Sequence, residues 1–80
     1  MVKVTLLYAK WCHVCPSAIK LWEDLHSKYD FEYKELDVDS EEGQDVISEH
    51  GIRGVPATIV DGEVAFIGVP DKDKAIKAIT

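Results

Sequence analysis

The chain of 80 residues predicts an α/β fold in the order β-α-β-α-β-β-α, with four strands in one mixed sheet and helices on both faces. Three observations carry this expectation. Strand-length apolar runs alternate with segments of helical spacing, Asp61-Gly62 stands between two β-rich runs as a tight hairpin signal, and the first β-α-β unit must close as a right-handed parallel crossover.

The elements follow in order. Val2 to Tyr8 is largely apolar with β-branched residues, which suits a strand covered on both faces in mid-sheet. The loop Ala9-Lys10-Trp11 follows. From His13 to about Tyr29, apolar residues recur at Val14, Ala18, Trp22, Leu25 and Tyr29, with Lys20, Glu23, Asp24 and Lys28 opposite, so a helix is expected with Pro16 near its start. Phe31 to Val38 reads as a second strand, and its Glu32, Lys34, Glu35 and Asp37 place it at an edge. Asp39 or Ser40 can cap a short helix from Glu41 to His50 that carries Val46 and Ile47 inward and stops at Gly51. Ala57 to Val60 and Val64 to Ile67 flank the hairpin turn, and Asp71 can cap a last helix bearing Ala75, Ile76 and Ile79.

Eighty residues leave room for one domain, here residues 1–80, near the lower size at which a core sustains a fold unaided. No run approaches the roughly 18 apolar residues of a membrane helix, and no basic segment, apolar segment and cleavage site open the chain. A cytoplasmic location without membrane contact is expected. The formal net charge of −6 argues against a nucleic-acid partner, since phosphate binding needs clustered Lys and Arg. Nine carboxylates fall between Asp30 and Glu49 against the single base Lys34, which reads as a solvated acidic face.

The two cysteines, Cys12 and Cys15, stand where the first strand gives way to the first helix. At a spacing of three in a first helical turn, both the dithiol and the disulfide fit one backbone. Cys12, the outer sulfur, meets the unsatisfied N–H groups and positive end of the helix, which favour its thiolate and make it the nucleophile. Cys15, one turn further in, would then attack Cys12 and release the product as the resolving thiol. A metal site is the rival reading of such a pair. The other half of a metal site is hard to find, because His26 lies eleven residues beyond Cys15 on the same helix, about 16 Å away at 1.5 Å per residue. A cluster- or metal-binding carrier that borrows ligands from a second subunit remains the alternative outside enzymology.

Trp11-Cys12-His13-Val14-Cys15 resembles the Trp-Cys-x-x-Cys of the thioredoxin family, and Gly51-Ile52-Arg53-Gly54-Val55-Pro56-Ala57-Thr58 resembles that family's second motif. The resemblance continues at Gly68-Val69-Pro70 and covers essentially the whole chain, while the extra N-terminal strand and helix of full thioredoxins are missing, leaving a chain of glutaredoxin size. It implies a minimal thioredoxin fold and a protein-disulfide reductase with no cofactor beyond its redox-active cysteine pair. It further implies that Pro56 is cis and faces that pair, that Val55 and Pro56 form a substrate platform with Gly68 completing the rim, and that Trp11 shields the sulfur and contacts substrate. The partners implied are disulfide-containing proteins and a thioredoxin-reductase-like electron donor, the protein acting as a monomer.

Two departures stand out. Thioredoxins usually carry a buried Asp six residues before the first cysteine, and here that position is Leu6. An apolar side chain exchanges no protons, so deprotonation of Cys15 must use water, another carboxylate or the mixed-disulfide environment. His13-Val14 replaces the usual pair between the cysteines, and a protonated His13 beside Cys12 would favour the reduced form and make the couple more oxidising. A glutathione-dependent glutaredoxin is the nearest rival: Gly68 and Asp71 match part of the glutathione-binding pattern, but Val69 occupies its second glycine position.

Overall fold

The computed structural model describes all 80 residues, and the seven elements arrive in the expected order: β1 (Lys3–Tyr8), α1 (Cys15–Lys28), β2 (Glu32–Asp37), α2 (Glu41–His50), β3 (Ala57–Val60), β4 (Glu63–Ile67) and α3 (Lys72–Ile79). The strands form one sheet in the order β2-β1-β3-β4, with β1 parallel to β2 and antiparallel to β3, and β3 antiparallel to β4. The apolar β1 is therefore central and the charged β2 is an edge. Between Thr58 and Ile59 the β3–β4 register shifts, so that Thr58 faces Phe66, Ile59 faces Val64 and Ala65 has no partner.

Alternation along β1 splits the core in two. Val4 and Leu6 pack with Ala18, Trp22 and Leu25 of α1 and with Ala75 and Ile79 of α3. Leu7 and Ala9 face the other way, joining Leu36, Val38, Ile52, Ala57 and Ile59 beneath Val46 and Ile47 of α2. Trp22 joins the layers of the first cluster: it is fully buried, meets Phe31 edge-on at 6.1 Å, and donates its indole N–H to the buried hydroxyl of Thr58 at 3.1 Å. Thr58 is the only polar residue among the 20 buried ones.

The first helix differs from the sequence expectation. It begins at Cys15 instead of His13, with Val14 as its N-cap and Cys12 outside it. Pro16 supplies the reason: it has no N–H for the Cys12 carbonyl, so the helical ladder can open only with Ser17 and Ala18, whose N–H groups both reach the Val14 carbonyl. Of the two residues that could cap α2, Ser40 does so, its hydroxyl accepting from the Gly43 amide at 3.0 Å, and Gly51 ends the helix at φ 65°. Gly43 itself lies against β2; a Cβ there would stand 2.1 Å from the Asp37 carbonyl oxygen. At the hairpin, Asp61 and Gly62 both take positive φ, 51° and 86°, as a two-residue turn of that kind requires. Asp61 is tied to β1 by two bonds of 2.9 Å, its carboxylate accepting from the Lys3 amide and its own amide donating to the Lys3 carbonyl.

Candidate active site

Both cysteines are free thiols at the carboxyl end of the central strand, Cys12 half-buried and Cys15 only 1% exposed. Val14 has no side chain able to cap α1, so the amide hydrogens that open the helix are left without an internal acceptor. The Cys12 sulfur takes that place. Its thiol is more acidic than an ordinary one, first because the Cys15 thiol donates to it; burial opposes this, and the Val14 and Cys15 amides add to the acidity. Cys15 moves the other way, pushed up to about 11 first by burial and then by its hydrogen bond to Cys12 and that sulfur's charge, with the Ala9 amide acting weakly in the opposite sense.

A second segment is brought to the first from more than forty residues away. The Cys12 thiol donates to the Val55 carbonyl at 3.8 Å, and the Val55–Pro56 peptide is cis, as the family motif implied. Pro56 is buried, and its carbonyl accepts from the Gly68 amide at 2.7 Å, so the Gly68 turn sits against the same strand entry. Gly68 takes φ 91°, a conformation that disfavours a side chain. Trp11 stands 66% exposed beside Cys12. Trp11 and Val55 line one groove beside Cys12, and Gly68 is bonded to the buried Pro56 behind it. His13 is exposed and makes no hydrogen bond to Cys12, whose donors are Cys15 and the two amides. Lys10 is exposed, 3.9 Å from the Asp37 carboxylate.

Sequence reasoning did not find the groove that extends from Trp11. It has a volume of about 490 Å³ and a floor of Val38, Ile47, Ile52 and Val55, with Asp39, Gln44 and Arg53 at its edge. Its walls come from the loop between β2 and α2, from α2 and from the segment before β3, which no single sequence window joins. The Trp22–Thr58 bond was likewise unseen, although a buried indole N–H always requires an acceptor. No three or more His, Cys, Asp or Glu side chains converge where they could hold a metal ion.

The comparisons with known proteins agree with this geometry. A family model described as a thioredoxin domain matches residues 2–80. A thioredoxin of Methanocaldococcus jannaschii is 30% identical over 78 residues, covering 98% of this chain and 92% of the relative. A probable thioredoxin of Archaeoglobus fulgidus is 32% identical over 72 residues, 90% of this chain and 79% of its own. Among solved structures, a mutant thioredoxin from Halobacterium salinarum superposes with a TM-score of 0.81 at 33% identity, covering 98% of this chain and 71% of that one. A cysteine pair of split acidity beside a cis proline, on a fold matched along nearly its whole length, places the chain in the thioredoxin family as a small thiol–disulfide oxidoreductase of the protein-disulfide reductase type.

Proposed function

We propose that Cys12 is the attacking sulfur and Cys15 the resolving sulfur of a dithiol–disulfide cycle that reduces disulfides in other proteins. The observation that carries this reading is the opposite displacement of two neighbouring thiols, one acidified at the surface and one held protonated in the core. The Cys12 thiolate attacks one substrate sulfur; a Cys12–substrate bond forms, the substrate disulfide breaks, and the departing sulfur takes a proton from water. Cys15, its proton removed, then attacks Cys12. The Cys12–Cys15 disulfide forms, the second substrate sulfur leaves, and two electrons have passed to the substrate.

Trp11, His13, Val55 and Gly68 form the docking surface, with the buried cis Pro56 shaping it from beneath. The Val55 amide makes no backbone hydrogen bond, which leaves it free to pair with an extended substrate segment. The whole of residues 1–80 acts as one monomeric unit in the cytoplasm, with no resident cofactor, recharged by a thioredoxin-reductase-like donor in preference to glutathione. Asp71 supports that preference: its carboxylate accepts from the Lys74 amide at 3.3 Å as the cap of α3.

Insulin reduction tests the reading. Turnover with NADPH and a thioredoxin reductase is expected, with complete loss in Cys12→Ser and covalent capture of substrate on Cys12 in Cys15→Ser. Retained activity in Cys12→Ser overturns the assignment. Brisk turnover of a small mixed disulfide with glutathione and its reductase moves the protein to the glutaredoxin reading. Stoichiometric zinc or a visible cluster absorption, with no insulin reduction, moves it to the carrier reading.

A further inference from the structure

Resolution of the mixed disulfide requires that Cys15 lose a proton, and the structure offers it no acceptor inside the fold. Cys15 lies 1% exposed at the first position of α1, and Ala18, on the same helical face one turn later, packs with Leu6 and Trp22. Leu6 is fully buried, opposite Thr58 in the sheet register, and Thr58 is the only polar residue in the entire core. Its hydroxyl oxygen already accepts from the Trp22 indole, and a neutral hydroxyl is no base at pH 7.

The titratable groups on the surrounding elements fail for separate reasons. On β1, Tyr8 is half-buried and carries a hydroxyl, not a carboxylate, imidazole or amine. Lys10, in the loop after β1, is exposed and drawn to Asp37, whose half-buried carboxylate at the end of β2 is engaged by that lysine and by the Asp39 amide. His13 and Lys20 are exposed on the cysteine loop and on α1. On α3, Asp71 is exposed and engaged with its own helix, and Lys72, Asp73 and Lys74 are exposed. The entry to β3, Pro56-Ala57-Thr58, contributes none. The influences that govern the Cys15 thiol are burial, the Cys12 sulfur and the Ala9 amide, and no carboxylate, imidazole or amine is among them.

We infer that Cys15 surrenders its proton to solvent and to no residue of the chain, so that its attack on the mixed disulfide, and not the attack by Cys12, limits reduction near neutral pH, with Leu6 as the residue that imposes this limit. The inference rests on the assignment of Cys12 and Cys15 given above. Hydroxide or water removes the Cys15 proton, the thiolate forms a bond to the Cys12 sulfur, the Cys12–substrate bond breaks, and the departing sulfur is protonated by water. With this step limiting, turnover becomes sensitive to the departing thiol, and disulfides that release an acidic thiol are reduced fastest. Once Cys12 is bound to substrate its negative charge is gone, but burial, the largest influence on Cys15, remains.

Single-turnover reduction of a small disulfide, quenched in acid and read by mass spectrometry, tests the inference. The mixed disulfide on Cys12 is expected to accumulate at pH 7, and its decay is expected to quicken about tenfold per pH unit between pH 7 and 9, because the thiolate fraction of a group below its pKa rises in that proportion. Leu6→Asp is expected to speed the decay at pH 7 and flatten its pH dependence, whereas Leu6→Asn, equally polar but without a base, does neither. Decay that is already flat across pH 7–9 in the unmodified protein, or no accumulation at pH 7, overturns the inference. That profile needs no variant, so it decides the matter even if a carboxyl at position 6 prevents folding. Failure of the underlying assignment gives a different result: Cys15→Ser would form no adduct on Cys12.

Discussion

Replacing Thr58 by valine tests how the core beneath the active site is held. The two side chains are nearly isosteric, so the change removes little but the acceptor for the Trp22 indole. Both residues are fully buried and the bond is 3.1 Å long. Leaving that N–H unpaired in the core costs about 1–3 kcal/mol, of which the extra methyl group returns about 0.8 kcal/mol, for a net loss of about 1 kcal/mol. In a domain of this size that lowers the melting temperature by about 4–8 °C. Thr58→Ser keeps the oxygen and loses one methyl, for about 1 kcal/mol. Serine, the less hydrophobic of the two, is therefore expected to be no less stable than valine. Urea denaturation of the oxidised protein, followed by tryptophan fluorescence, measures both. In a Trp22→Phe background, where no N–H remains, Thr58→Val should lose its penalty, giving a coupling of about 1–2 kcal/mol. A valine variant as stable as the parent, or a penalty unchanged in the Trp22→Phe background, would refute the reasoning.

Four further outcomes are expected. Gly43→Ala should lose at least about 1–3 kcal/mol in denaturant unfolding, since its Cβ would stand 2.1 Å from a backbone carbonyl that cannot rotate away. Brief iodoacetamide treatment of the reduced protein at pH 7 should alkylate Cys12 and leave Cys15 untouched, as peptide mass mapping would reveal. The same displaced thiols make stability depend on pH: a group whose native pKa is raised to about 11 keeps its contribution below the unfolded value of about 9 and loses it as pH rises toward 11. The reduced protein should therefore weaken over that window and the disulfide form should not. Finally, Trp11→Ala should change stability little, because the ring is 66% exposed, yet slow reduction of protein disulfides.

Much of this protein is local, and the local part was legible. Strand and helix patterns, the Asp61-Gly62 turn, the terminating Gly51 and the cap Asp71 depend on a few adjacent residues each, and each stands where local chemistry puts it. The edge position of β2 was readable because its charges need a wet face. The start of α1 was misplaced by two residues, because helical periodicity continues through His13 and Val14 while the hydrogen-bond ladder cannot include the carbonyl facing Pro16.

By itself, the sequence determined the cysteine pair, the strand order's parallel and antiparallel joints, and the family motifs around Val55-Pro56. Only the tertiary structure decided which groups meet across long separations: the Cys12 thiol on the Val55 carbonyl, the Trp22 indole on the Thr58 hydroxyl, and the groove that joins Trp11 to α2. It also decided acidity. Burial and the orientation of two amides set Cys12 and Cys15 apart, and neither is a property of a residue in isolation.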